Sequence, residues 1–341
     1  MRRRLNGSPG PGRLSKTATE TGVVESILGH RLVRRYPRLK QAVWRAEAGF
    51  LGGLWALCRA LPPDRASDLG GRLGRLIGPR LHKHRHVLRN LRFVLPEAED
   101  EELRRIALGM WENIGRVIAE FAFLERFAEG ELYRRIELVD RGGLEAGRRA
   151  GKGIFVGAHL ANWYLSLYAF HRAGIDGSVV YSSQRNPYIE AHFEERRTKL
   201  PCRFLEVDEA GPHIMRELRA GRSIGLLADQ RYHKGEPVPF FGVPAETATI
   251  PARLALRFEV PFVPVRIERL GGLRFRITVM PPLAPPRGGD DRTRARALTQ
   301  QMNACFERWI RERPEQWLCV KRRFPRDARP ARAAPAEVAA L

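Results

Sequence analysis

Cysteine is scarce in this chain: four among 341 residues, Cys58, Cys202, Cys305 and Cys319, far apart in sequence. There is no C-x-x-C and no Cys/His pair at zinc-ligand spacing, so a zinc module and a disulfide framework are both excluded. The expectation is reduced thiols in a cytoplasmic setting, with Cys58 and Cys305 inside helical apolar patterns. Negative charge is also short. Against 60 Lys and Arg stand 38 Asp and Glu, a net +22, which implies an anionic partner. Long apolar runs are missing: the longest uncharged stretch near the start, Ala48 to Cys58 between Glu47 and Arg59, falls short of the roughly 20 residues that span a bilayer. No P-loop, G-x-S-x-G elbow or H-E-x-x-H occurs, and no G-x-G-x-x-G follows a strand, which excludes the corresponding nucleotide, hydrolase and metalloprotease sites. Aromatic residues interleaved with basic ones on an exposed sheet are absent as well, so no nucleic acid is expected as partner.

What is present divides the chain into four parts. Residues 1–40 are polar and basic and read as a disordered arm, with no cleavable signal sequence. Residues 41–150 are helical. Within them the segment 43–61 suits a helix lying in a membrane interface, with Trp44 and Trp55 as candidate anchors, since polybasic flanks favour anionic lipid. Arg34, Arg35, Arg38, Lys40 and Arg80 are candidate contacts for anionic lipid or an acidic protein. Ser67 offers an N-cap to a helix over 68–78 whose Leu69, Leu73, Leu76 and Ile77 repeat at helical spacing. Residues 99–121 carry one wide apolar stripe, from Leu103 to Phe121, and predict a core helix.

From Gly151 to Phe324 the texture becomes strand–helix alternation, the mark of an α/β layer fold. Strands are expected at 153–158, 178–182, 203–207, 223–228, 262–269 and 274–280, and helices at 162–173, 187–199, 209–220, 249–258 and 291–312. The expected architecture is a mixed, largely parallel sheet flanked by helices, preceded by a membrane-associated helical region. The segment 235–246 is Gly/Pro-rich, and 325–341 reads as a disordered tail.

The apolar run Ile154 to Ala158 is followed at once by His159. A His at the carboxyl end of such a strand stands where open α/β sheets bind ligands, and it can serve as a general base near neutral pH. An ordered set of motifs follows it: Asn162-Trp163, Tyr181, Arg185-Asn186-Pro187, Leu227-Ala228-Asp229-Gln230, Phe240-Phe241-Gly242, Thr247, Pro264-Val265-Arg266, Pro314-Glu315-Gln316-Trp317 and Arg322-Arg323-Phe324. Asn90-Leu91, Pro96 and Asn113 lie upstream.

In that order and spacing, residues 40–324 resemble the late acyltransferases of lipid A biosynthesis. The resemblance implies an enzyme at the cytoplasmic face of the inner membrane. It would transfer a fatty acyl chain from acyl carrier protein to a hydroxyl of a phosphorylated glycolipid, with no cofactor. His159 would be the base, and Arg185, Asn186, Asp229, Gln230, Phe240, Phe241 and Arg266 candidate substrate contacts. The family motif places an acid five residues after the His, whereas this chain has Tyr164 there. A phenol, pKa near 10, is neutral at pH 7 and supplies no charge to an imidazolium, although it can accept a hydrogen bond. Three readings stay open: another acid such as Glu120 or Asp229 substitutes; Tyr164 supports a slower enzyme; or the chain binds lipid without catalysis. A different glycolipid or aminolipid acceptor stays open too.

Overall fold

The computed structural model of the protein describes residues 37–207 and 210–330. The expected basic arm therefore lies, but for its last four residues, outside the described residues, as does the tail from 331.

A seven-stranded sheet organises the core. In chain order its strands are β1 (Ile136–Asp140), β2 (Ile154–Gly157), β3 (Gly177–Tyr181), β4 (Arg203–Glu206), β5 (Ser223–Leu227), β8 (Phe262–Gly271) and β9 (Arg274–Val279). Their order across the sheet is β1-β9-β8-β2-β5-β3-β4. Only the β8–β9 hairpin pairs antiparallel, so β1 and β9 run against the other five. Two strands, β6 (Glu236–Phe240) and β7 (Val243–Thr247), form a separate hairpin. The mixed, largely parallel α/β sheet is thus as expected. The strand β1 and the β6–β7 hairpin are additions: the first is a half-exposed edge strand, and the second hides in a Pro-rich sequence. Pro237, Pro239 and Pro244 are tolerated because a two-stranded ribbon is all edge. Its turn is Phe241-Gly242, both with positive φ (50° and 73°), as a tight two-residue hairpin turn requires.

β2 is buried at all four positions and sits mid-sheet between β5 and β8. A run without alternation is what a strand covered on both faces needs. Covering elements include the helices Gly143–Arg149, Leu167–Ala173, Ala210–Arg219 and Ile250–Arg257. The amino-terminal helices form a second layer. The Asp100–Glu120 helix opens with Asp100, Glu101 and Glu102, favoured by the helix dipole, and buries the apolar stripe from Leu103 onward.

Two details of that layer depart from the sequence reading. The second helix begins at Pro63, not after Ser67; proline suits the first helical turn because its missing N–H is not needed there. Ser67 is an interior residue, and its hydroxyl donates to Glu120 Oε1 at 2.6 Å. This helix also buries its small residues, Ala66, Ser67, Gly70 and Gly71, rather than its leucines. A Cβ on Gly70 would lie 2.4 Å from the Gly115 carbonyl oxygen, and one on Gly74 2.2 Å from that of Trp111. The helices touch backbone to backbone there, so Leu76 and Ile77 are turned outward.

The first helix, Pro37–Ala60, is longer than the expected 43–61 segment at its amino end. Trp44 and Trp55 are buried, so they face protein rather than an interface. The Trp55 indole donates to the Ile118 carbonyl at 2.7 Å. Among the described residues no helix is long and apolar enough to cross a membrane.

Candidate active site

The parallel register of two neighbouring strands builds the site. β2 and β5 pair Ile154 with Ile224 and Gly157 with Leu227. The Ala228 N–H still donates to the Gly157 carbonyl at 2.9 Å, so the strands stay in step past their ends. Two residues beyond Gly157 is His159; two beyond Leu227 is Asp229. Equal offsets in register bring them together, and His159 Nδ1 lies 2.6 Å from Asp229 Oδ1. The His159 side chain is 20% exposed and that of Asp229 wholly buried, so the ring faces outward and the acid stands behind it.

Asp229 receives three donors. Oδ1 accepts from the His159 ring and from its backbone N–H at 3.0 Å, and Oδ2 accepts from the Trp317 indole at 2.9 Å. Burial by itself pushes the carboxyl pKa up; the His159 charge and these donors outweigh it and hold the group below the usual aspartate value. An ionised, oriented carboxylate on Nδ1 fixes the proton there and leaves the Nε2 lone pair to act as base.

The segment after His159 is clamped. Leu318 N–H donates to the His159 carbonyl at 2.8 Å, and Ala161 N–H to the Gln316 carbonyl at 2.9 Å. Ala161 has φ of 46°, a left-handed turn that aims the chain away from the strand. Asn113 Nδ2 donates to the Ala161 carbonyl at 3.0 Å. Asn162 Nδ2 donates to Glu120 Oε2 at 2.8 Å. Glu120 is fully buried and takes both an Arg269 fork (2.6 and 3.0 Å) and the Ser67 hydroxyl. A buried carboxylate is tolerable only when so completely paired. Glu120 is therefore committed to Asn162 and Arg269, and of the two acids the sequence offered, Asp229 is the one on the imidazole.

Tyr164 is not the histidine's partner. Among the described residues no hydrogen bond joins it to His159. Its ring packs edge-on to Phe121, with centroids 4.7 Å apart, and burial pushes its phenol pKa up to about 12. The first turn after His159 is a 3₁₀ segment, Trp163–Ser166, rather than the expected α-helix. A residue five positions on therefore does not take the place an α-helical turn predicts for it.

The remaining candidates scatter. Asn186 caps the Pro187–Arg197 helix, accepting from Tyr188 N–H at 3.0 Å, and donates to the Trp44 carbonyl at 2.9 Å. It joins that helix to the first one. Arg185 is half-exposed in the turn after β3. Phe240 and Phe241 are buried core, packed with Trp317 and Phe324 behind Asp229, not an open groove. Arg266 points into ion pairs with Glu268 (2.8 Å) and Glu312 (2.6 Å). Gln230 does lie at the site, lining a recess with Asp229, Arg231, Trp317, Lys321 and Arg323. The role of Trp317 as an aspartate donor is not legible in the sequence, because a tryptophan reads first as core. Among the described residues no three His, Cys, Asp or Glu side chains converge as a metal ion needs.

The family model of bacterial lipid A biosynthesis acyltransferases matches residues 40–326. The lipid A biosynthesis lauroyltransferase of Escherichia coli K12 is 26% identical over 288 residues, 80% of this chain and 89% of that protein. The family match spans both site strands and the clamping segment around Trp317, and on that extent the chain belongs to the bacterial lipid A biosynthesis acyltransferase family and is an acyltransferase.

Proposed function

We propose that the protein transfers a fatty acyl chain from the thioester of acyl carrier protein to a hydroxyl of a phosphorylated lipid A precursor, at the cytoplasmic face of the inner membrane. The observation that carries this reading is the His159–Asp229 pair at the paired ends of β2 and β5.

The chemistry follows from the pair. A sugar-lipid hydroxyl is a poor nucleophile, so its proton must leave as its oxygen attacks. His159 Nε2 takes that proton while the new C–O bond forms. Asp229 stabilises the imidazolium and keeps the ring in one tautomer. Collapse of the tetrahedral intermediate breaks the C–S bond, and the imidazolium returns its proton to the departing sulfur. Both products are neutral at the reacting atoms and no redox change occurs. The non-catalytic alternative is motivated by Tyr164; a carboxylate already on His159 removes that motive.

Membrane docking is supported by the outward surface of the first two helices. Along Pro37–Ala60 the exposed positions from Ala46 on include Gly49, Phe50, Gly53, Ala56 and Leu57, an apolar stripe at helical spacing. Phe50 is 72% exposed and Leu76, on the next helix, 58%. Exposed large apolar side chains in a stripe fit an interfacial helix better than a helix facing water. The test of the whole reading is acyl transfer by detergent-purified protein from acyl carrier protein thioesters to a lipid A precursor, followed by mass spectrometry. Transfer should vanish in His159→Ala; full activity in that variant would overturn the mechanism. Phe50→Asp with Leu57→Asp should move the protein from the membrane pellet toward the supernatant, and unchanged sedimentation would refute the docking face.

A further inference from the structure

A basic surface, remote in sequence from the amino-terminal arm, stands beside the recess at Asp229. Three segments build it. The run His82-Lys83-His84-Arg85-His86, with Arg89, opens the His84–Val94 helix. The segment after the PEQW motif brings Lys321, Arg322 and Arg326. Arg231 follows Asp229-Gln230. Arg89 ties the first two segments together, donating to the Pro325 and Arg326 carbonyls, each at 2.7 Å. Asn90 does the same through the Cys319 and Lys321 carbonyls.

These charges sit close enough to feel one another. Burial, then Arg85, His82, Arg322 and Arg89, push the His86 pKa down. Burial, then Arg231, Arg326 and Arg89, do the same to Arg322. The acids beside them, Asp327 and Glu246, are fewer than the basic groups. Arg85 bonds to His82 and Arg89 to carbonyls, while Glu246 is held by Arg231 in a two-bond pair at 2.8 and 2.9 Å. Such crowding costs stability unless an anionic partner offsets it.

The composition of the surface selects the partner. A lipid-binding face combines basic with exposed apolar side chains. None of the exposed large apolar residues lies within 79–98 or 318–330; they gather instead on the first two helices and elsewhere. The patch is hydrophilic and predominantly basic, Glu97 and Asp327 being the exposed acids within those two stretches, and it borders the recess lined by Asp229, Arg231, Lys321 and Arg323. We propose that the surface formed by His82, Arg85, His86, Arg89, Arg322 and Arg326 docks an acidic protein, the carrier of the acyl donor. Docking there leaves the apolar helices free to hold the acceptor's membrane. The inference rests on the acyl-transfer reading above and adds where the donor binds.

The experiment compares full-length wild type with Arg85→Glu/Arg326→Glu, two exposed side chains whose change leaves the core untouched. Acylated carrier protein is titrated against each by fluorescence anisotropy at low and high salt. The variant should bind about tenfold or more weaker, with a flattened salt dependence, and Arg85→Gln/Arg326→Gln should fall between. Transfer from a small acyl-pantetheine thioester should keep its kcat in the variant. Unchanged carrier affinity would overturn the proposal. So would loss of binding to anionic phospholipid vesicles with carrier affinity intact, which would make the patch a lipid surface. Failure of the acyl-transfer reading would show separately, as wild type transferring from neither donor.

Discussion

Replacing Asp229 by Asn tests the site at one atom. The carboxylate accepts from three N–H groups, two on Oδ1 and one on Oδ2. An amide has one acceptor and one donor end. If its NH₂ takes the Oδ1 place, it meets the backbone N–H of His159, and the ring must turn a lone pair toward it at Nδ1. The proton then moves to Nε2, and the base is lost. If the NH₂ takes the Oδ2 place, it meets the Trp317 indole N–H, and the imidazolium loses its countercharge. Either arrangement fails in the transition state. In a hydrolase triad the corresponding change costs about 10⁴ in kcat, or about 5 kcal/mol of barrier. The same loss is expected here in single-turnover transfer from an acyl carrier protein thioester, with circular dichroism confirming the fold. Tyr164→Phe, run beside it, should change the rate less than about threefold, because a hydroxyl that touches no reacting group contributes little. An Asp229→Asn variant within about tenfold of wild type would refute the assigned role, and a collapse in Tyr164→Phe would return that role to the phenol.

Other outcomes follow from the packing and the charges. Tyr164→Glu should not raise the rate: the carboxylate would enter a site where burial already drives a phenol to about 12, beside Phe121, so lower stability is expected in thermal unfolding. Gly74→Ala should destabilise by about 1–3 kcal/mol in urea titration, because the new Cβ would stand 2.2 Å from the Trp111 carbonyl oxygen. A neutral result there would mean that the helix seam can open. Glu217 gives a pH dependence: Arg222, against the opposing effect of burial and with Ser178 helping, lowers its pKa to about 2. The unfolded chain, near 4.3, binds the proton first as pH falls, so the stabilisation is complete above that value and lost between it and about 2. Roughly 2–3 kcal/mol should disappear across that window in wild type and not in Glu217→Gln, measured by denaturant unfolding at each pH.

Six of the seven sheet strands were legible. β2 and β5 read as short apolar runs, and they and β3, β4, β8 and β9 each fall within a residue or two of their expected places. The half-exposed edge strand β1, Ile-Glu-Leu-Val-Asp, hides among helical residues because its alternation is brief, although Gly142-Gly143 after it is a turn signal. The second helix departs from its pattern for a different reason. Leucine spacing marks one face as buried, yet the glycine seam wins, since close backbone contact with Gly115 excludes larger side chains from that face. Hydrophobic periodicity locates a stripe; it does not say whether protein or lipid covers it.

The His159–Asp229 pair is written in the sequence in a form that needs register to be read. Ile154-Phe155-Val156-Gly157-Ala158-His159 and Ile224-Gly225-Leu226-Leu227-Ala228-Asp229 are six-residue segments with the same plan, an apolar run, an Ala, then a polar residue. Pairing Ile154 with Ile224 makes the two polar residues neighbours. Neither run alone says that the strands are adjacent, because His159 and Asp229 are 70 positions apart, two strands (β3 and β4) lie between β2 and β5 in the chain, and the sheet order places β5 beside β2 out of sequence. A motif counted along one segment looks for the acid within the same turn of chain, and finds Tyr164. A parallel sheet offers a second source, the next strand over, and the buried aspartate at its end is held ionised by the His159 ring together with the indole of Trp317 and the His159 backbone N–H. Loss of the acid from the motif is thus compatible with a fully equipped base, so long as the fold keeps β2 and β5 in step. That makes the register, rather than residue 164, the feature on which the proposed base depends.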